Sequence, residues 1–306
     1  MTDGNRTFHI LVLLTFALMT VIVLLSAYMR LSAAGLGCTD WPNCYGRALA
    51  GLAPHRPEWL NTTHRIAASS MGLAALGIAT LAWHRRRTAP GDFPLALALL
   101  GLTGFLAVLG RWTHDARLPA VALGNLLGGL GMLVLLWRLH LGYAPQPAIP
   151  SRLRGWVLPG LALLVAQTTL GGMVSTNFAA SSCASLPGCE GWLQHASLAA
   201  FNLFNILEVA QGGNFAPGAV RQTLHMTHRF FALLVFCYLA WLGIRLLRED
   251  LQRSGILLIA TLVLQIALGV GSVAYGLPLF LVLLHTATAA FLMLILASLN
   301  HRLRKH

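Results

Sequence analysis

Four of the twelve histidines, His64, His225, His228 and His285, fall inside long apolar stretches. An imidazole placed in hydrocarbon is costly and marks a functional position by default. His228 and His285 stand at similar depth, each roughly 10 Å below the outer end of its stretch at 1.5 Å per helical residue. Two imidazoles at equal depth on two helices can clamp a heme iron from opposite faces. They can equally hold a transition metal, or hydrogen-bond across the helices. Spacing alone leaves all three open. Arg229 follows His228, just as Arg65 follows His64. A guanidinium at that depth seeks a carboxylate, and a heme propionate is a suitable one; the alternative is snorkelling to the headgroups. His225, one turn before His228 on the same face, reads as a donor behind that ring, with an alternate ligand or plain packing as the other readings. His9, His84, His140, His301 and His306 lie at helix ends or tails, where solvation is expected. His55, His114 and His195 sit in connecting loops with no evident role.

The elements that must position these rings are membrane helices. Of 306 residues, 57% are hydrophobic and 10% charged, against about 25% charged in soluble domains, so the chain cannot cover a water-facing surface. Apolar segments run near 8–29, 62–83, 93–110, 118–137, 157–174, 222–244, 256–273 and 279–299. Each approximates the length that crosses a bilayer as a helix. The first is too long for a signal-peptide core and lacks a cleavage site, so it reads as a span. The net charge of +12 comes from clusters between spans. Arg85–Arg87, then Arg138, Arg152 and Arg154, then Arg245, Arg248 and Arg253, then Arg302, Arg304 and Lys305 all fall on one face of an eight-span arrangement. That face is expected to be cytoplasmic, with both termini inside. No phosphate loop or basic–aromatic interleaving points to nucleotides or nucleic acid.

Five cysteines add a second pattern. Cys38 and Cys44 bracket Thr-Asp-Trp-Pro-Asn, and Cys183 and Cys189 bracket Ala-Ser-Leu-Pro-Gly. Both pairs fall in the long loops of the opposite, outer face, where disulfides persist. Two short-loop disulfides are expected, with free thiols or a metal site as alternatives. Cys237, in mid-span, reads as core packing. The pairs also expose a duplication: 183 − 38 and 189 − 44 both equal 145. Thr-His64-Arg65 recurs as Thr-His228-Arg229, with 228 − 64 = 164. The expected fold is therefore an all-α polytopic membrane protein. Its eight transmembrane helices form two fused, pseudo-symmetric four-helix bundles, residues 1–150 and 151–306.

Taken together, the run Arg30-Leu-Ser-Ala-Ala-Gly-Leu-Gly-Cys38-Thr-Asp-Trp41-Pro42-Asn-Cys44-Tyr-Gly46, the two His-Arg pairs and His285 in the last span resemble the heme A synthase family, proteobacterial type. The resemblance covers nearly the whole chain. It implies a membrane oxidoreductase that converts the C8 methyl of heme O to the formyl of heme A. It implies a bis-histidine heme b on His228 and His285 for electron transfer, and a substrate heme near His64 in the N-terminal half. The outer loops would carry the cysteine pairs. Heme O synthase and the cytochrome c oxidase assembly machinery would be natural partners, in a bacterial inner membrane.

The N-terminal site departs from that pattern. Many members carry a glutamate three residues before the first histidine, where this chain has Asn61; the nearest acid is Glu58. The family's second N-terminal histidine falls near Asn125 here (285 − 125 = 160), in a span without histidine. Asparagine is a poor iron ligand, and losing the glutamate removes a carboxylate that could handle protons. The alternative is a heme b-binding membrane protein without catalysis: an electron carrier, a heme carrier or an accessory subunit of a respiratory complex. The glycine-rich stretch 124–131 permits close helix contact within one chain or between copies.

Overall fold

The computed structural model describes residues 3–33, 58–111, 118–143, 153–183, 185–189, 191–204, 218–249 and 251–303. Eight helices account for most of them: α1 (Asp3–Ala33), α2 (Glu58–His84), α3 (Asp92–Gly110), α4 (Pro119–Leu141), α5 (Arg154–Thr176), α6 (Ala219–Arg248), α7 (Gln252–Ala274) and α8 (Leu279–Leu303). All eight are long and apolar enough to cross a membrane. The chain is an all-α, multi-pass membrane protein. Observed helices extend a few residues past the apolar segments, because polar and basic ends continue each helix into the headgroup region. Arg138 and His140 in the last turn of α4, and Arg245 and Arg248 in that of α6, suit a negative dipole end.

The helices pack in two rings. Helix α1 packs on α2 and α4, and α3 joins α2 to α4; α5 packs on α6 and α8, and α7 joins α6 to α8. Helices α2 and α4 thus face each other across one ring, and α6 and α8 across the other. The rings meet through α4, α5, α8 and α1. There a Cβ on Gly172 of α5 would come within 2.4 Å of Leu123 of α4, and Trp137 of α4 donates to the hydroxyl of Ser298 of α8 at 2.7 Å. One apolar core runs through both rings, from Phe8, Ile78, Leu99 and Leu136 to Leu239, Leu242, Leu258 and Leu296. Arg30 donates to the Ser175 hydroxyl. Their separation of 145 residues is the repeat offset of the cysteines, so two equivalent positions touch, as happens only near the axis relating two copies.

On the arginine-collecting face a polar network ties the helix ends. Arg85 donates to Asn5 at 2.8 Å and to the Tyr143 hydroxyl, and its guanidinium lies 4.4 Å from the centre of the Phe8 ring. The Tyr143 hydroxyl donates to Asp92, which also pairs with Arg85 at 3.8 Å. His9 and His140 approach to 2.9 Å and their rings stack at 5.0 Å. These two histidines were expected to be solvated; instead each is the other's partner, because α1 and α4 are neighbours. Cys237 is exposed on α6, on the side opposite the buried Val235, Leu239 and Leu242. It faces outward rather than packing in the core as expected.

Two outcomes follow from this packing. A Cβ on Gly255 of α7 would lie 2.8 Å from the backbone oxygen of Gly243 on α6, so Gly255→Ala must push the helices apart. The expected cost is about 1–3 kcal/mol, read as a lower thermal midpoint in detergent. Burial first, and then the bond to Asp92, push the Tyr143 phenol up to about 12. Its folded value exceeds the unfolded 10.0, so its contribution to stability is fully present below pH 10 and fades as pH rises through about 12. Ultraviolet titration should show a tyrosinate component near pH 12 that Tyr143→Phe removes.

Candidate functional site

The two histidines at equal depth lie on helices that oppose each other across the α5–α8 ring. His228 sits on the inward stripe of α6 with Val235, Leu239, Leu242 and Leu246, and His285 on α8. Both are half-buried. Each ring lies against the preceding helix in sequence at a glycine. A Cβ on Gly171 of α5 would lie 2.9 Å from Cε1 of His228, and one on Gly269 of α7 would lie 3.0 Å from Cε1 of His285.

Each ring also meets a glutamine one turn before that glycine. The Gln167 amide nitrogen is 3.1 Å from His228 Nδ1 and donates to the His228 backbone oxygen at 3.2 Å. The Gln265 amide nitrogen is 3.2 Å from His285 Nε2, and His285 Nδ1 is 3.1 Å from the Gln265 backbone oxygen. The side-chain oxygens of Gln167 and Gln265 are buried without a hydrogen-bond partner. Neither glutamine was singled out from sequence. The signal was present as a repeat, Gln-x-x-Leu-Gly at 167–171 and again at 265–269, but it involves no ionisable residue.

The loop after α5 is fastened to the first turns of α6. Thr223 accepts from the Ser197 amide at 3.1 Å. His225, 4% exposed, bonds the backbone carbonyl of Ala179. Arg229 donates to the carbonyls of Ser185 at 2.8 Å, Pro187 at 3.4 Å and Cys183. These contacts hold the loop closed by the Cys183–Cys189 disulfide. Gln167, rather than His225, is the side chain bonded to the His228 ring, and Arg229 grips loop carbonyls at its Nη atoms. Its Nε is buried without a hydrogen-bond partner. Cys38 and Cys44 lie outside the described residues, as do His55 and His114.

In the other ring, His64 lies on the inward stripe of α2 with Leu60, Met71, Ala75, Ile78 and Ala82. Asn61 and Arg65 are exposed on the same helix. Asn125 is on α4, between Gly124 and Gly128, which face Leu109 and Leu106 of α3, and Gly129, which faces Val23 of α1. It therefore points into the α1–α4 ring, opposite α2. Its amide donates to the Val121 backbone oxygen on its own helix at 3.1 Å. The structure thus sets His64 and Asn125 on opposing helices, as it does His228 and His285.

The donor set fits a heme. Two imidazoles stand on helices that face each other across the ring, each seated at a glycine, and the side-chain oxygens of Gln167 and Gln265 beside them are buried without a hydrogen-bond partner. A three-ligand cluster for a bare metal ion is absent among the described residues. Fold and site define a class: an eight-span membrane protein of two four-helix rings, with paired intramembrane imidazoles in one of them.

Residues 9–297 match the COX15-CtaA family, described as cytochrome oxidase assembly proteins. The chain belongs to that family. It is 35% identical to a heme A synthase of Shewanella oneidensis, over 94% of each chain. It is 30% identical to one of Novosphingobium aromaticivorans, over 77% of this chain and 68% of that protein. A heme A synthase of Caulobacter sp. is 25% identical over 99% of this chain and 98% of its own.

The loop contacts make one expectation concrete. Arg229→Met removes the donors that hold the Cys183, Ser185 and Pro187 carbonyls, so dithiothreitol should reduce the Cys183–Cys189 disulfide faster than in the unaltered protein. Mass spectrometry of alkylated peptides over time would measure this, and equal rates would show that the loop holds itself.

Proposed function

We propose that this chain makes heme A, oxidising the C8 methyl of heme O to a formyl group. The observation that supports it most is the opposed His228/His285 pair in one ring, with His64 at the corresponding place in the other, in a chain whose relatives bear the name heme A synthase. The conversion is a net four-electron oxidation that exchanges two C–H hydrogens for one carbonyl oxygen. A heme b held by His228 and His285 would supply one-electron transfer. The residues of the α5–α8 ring keep that site dry and the two imidazoles fixed. His64 binds substrate heme O from the α2 side, and Arg65 is available to its propionates. Asn125 leaves the opposite side of the substrate without a strong ligand, which keeps one side open to oxygen chemistry. Asn61 occupies the place of a carboxylate, so proton handling falls to other groups or to water.

In this reading residues 1–150 form the substrate half and 151–306 the electron-transfer half, in a bacterial inner membrane with both termini cytoplasmic. Heme O synthase and the cytochrome c oxidase assembly machinery are the partners, one delivering substrate and the other receiving product. A second reading is favoured by Asn125, whose amide is tied to its own helix: a heme b-binding carrier or accessory subunit without catalysis.

Co-expression with a heme O synthase, followed by chromatography of the extracted pigment, separates the two. Heme A in the extract, lost with His64→Ala, is the outcome expected of the enzyme. About one heme b per chain, lost with His228→Ala or His285→Ala, and no heme A would establish the carrier instead. A pigment-free protein would refute both.

A further inference from the structure

Between Glu190 and Glu208 the chain carries no charged residue. Two short 3-10 turns fall in that stretch, Trp192–His195 and Leu198–Phe201, just after the disulfide loop. Leu193, Leu198, Phe201 and Phe204 leave 72, 88, 40 and 77% of their surface exposed. Large apolar side chains set so densely on a loop mark a contact with something apolar. The other side of the segment is packed. Ala200 is buried in a cluster with Leu123 of α4, Met173 and Val174 of α5 and Leu224 of α6. The exposed side chains are thus carried on a backbone fixed to three helices.

Two hydrogen bonds set the depth of the segment. The Ser197 amide donates to Thr223 Oγ1 of α6 at 3.1 Å, and the Leu203 carbonyl accepts from the Ala120 amide of α4 at 3.2 Å. A bilayer core takes about 20 helical residues. Counted back from the basic ends of these helices, Arg245 and Arg138, the far edge of the hydrocarbon falls near residues 225 (245 − 20) and 118 (138 − 20). Thr223 and Ala120 each lie two residues from that edge, or about 3 Å. Trp192 reaches deeper. Its ring centre is 5.6 Å from that of Phe230, which lies five residues, about 7 Å, inside the edge. Phe230 is about 200° around the helix from His228, so it points away from the interior of the ring, and it is 56% exposed. Trp192, Thr227, Phe230, Phe231 and Leu234 line a shallow groove on that side.

We propose that residues 192–204 lie in the bilayer surface, in the leaflet opposite the arginine-rich helix ends. Leu193, Leu198, Phe201 and Phe204 insert among acyl chains, and one acyl chain occupies the groove beneath Trp192. Lipid is the occupant because the patch sits at the hydrocarbon edge by two separate counts and continues the lipid-facing side of α6, where Phe230, Leu233 and Leu234 are exposed. A segment without charges gives up little hydration on entering the interface, and tryptophan is at home there. Gln194 and His195, exposed in the same turn, are available to headgroups. The segment also holds the first turns of α6 and α4, one helix from each ring, so anchoring it in lipid steadies both.

The test uses full-length protein in vesicles of phosphatidylcholine and phosphatidylglycerol. Nitroxide labels are placed by Leu193→Cys, Leu198→Cys and Phe204→Cys in a Cys237→Ser background. Electron paramagnetic resonance then compares collisions with oxygen, which concentrates in lipid, and with a water-soluble nickel chelate. Arg87→Cys, in the exposed α2–α3 turn, is the aqueous control, and Leu233→Cys on α6 the lipid control. All three loop labels should favour oxygen and report a depth of about 5–10 Å below the headgroups. Nickel contact equal to that at Arg87→Cys would put the segment in water and overturn the proposal. Protection from both reagents would put it against protein, such as a second copy, and overturn it too. If the variants fail to fold, unaltered protein decides by photolabelling with a phospholipid that carries a diazirine near the headgroup end of one acyl chain. Adducts on the peptide spanning 192–204 are expected, and a peptide left unlabelled while α6 is labelled would refute the insertion.

Discussion

In hydrocarbon there is no water to satisfy a polar group, so each buried N–H, carbonyl or imidazole must find its partner inside the protein. Helices meet this demand for their own backbones, and that alone dictates eight spans here. The imidazoles are harder, because a ring nitrogen on one helix has to be matched by a group on another. His228 and His285 meet it through the preceding helix, at Gln167 and Gln265. His9 and His140 meet it through each other. Arg229 meets it at loop carbonyls, and Arg85 at Asn5, Tyr143 and Asp92. The arrangement of the two rings can be read as the set of helix placements that satisfies these groups together.

The two halves have diverged under that constraint. In the α5–α8 ring, the two histidines are each backed by a glutamine and a glycine, and the loop after α5 is pinned to α6 at three successive levels by Thr223, His225 and Arg229. In the α1–α4 ring, His64 faces a helix that offers asparagine, and Asn125 satisfies its amide on Val121 of its own helix. Leu102, Leu106 and Leu109 of α3 fill the glycine-lined side of α4 there. One ring is built to grip, the other to accommodate.

Membership in the cytochrome oxidase assembly family rests on a match across nearly the whole chain, and the likeness to the Shewanella oneidensis protein is spread over the same length. The departures that the resemblance implies at Asn61 and Asn125 therefore sit on a scaffold matched along nearly its whole length. Asn61 is exposed and Asn125 points inward, so they bear on the α1–α4 ring in different ways: one at its rim, the other across from the His64 helix.

Much of this was legible in the sequence. Long apolar runs determined the spans, because a helix in lipid needs about 20 such residues and little else. The cysteine spacing indicated the repeat, and a disulfide at 183–189 is present. His64, His228 and His285 stood out because an ionisable group in a span is rare enough to be seen alone. The partners of those groups were decided only by tertiary structure. Gln167 and Gln265 are neutral, and a glycine matters only through what lies against it. His140 read as a solvated helix end until α1 brought His9 beside it, and the loop carbonyls that Arg229 holds could not be read from its place in the sequence. Cys237 read as core because its neighbours in sequence are apolar, although in a membrane the lipid face is apolar too. Hydropathy reports burial in hydrocarbon but does not distinguish lipid from protein, and that distinction is made by the packing of the helices against one another.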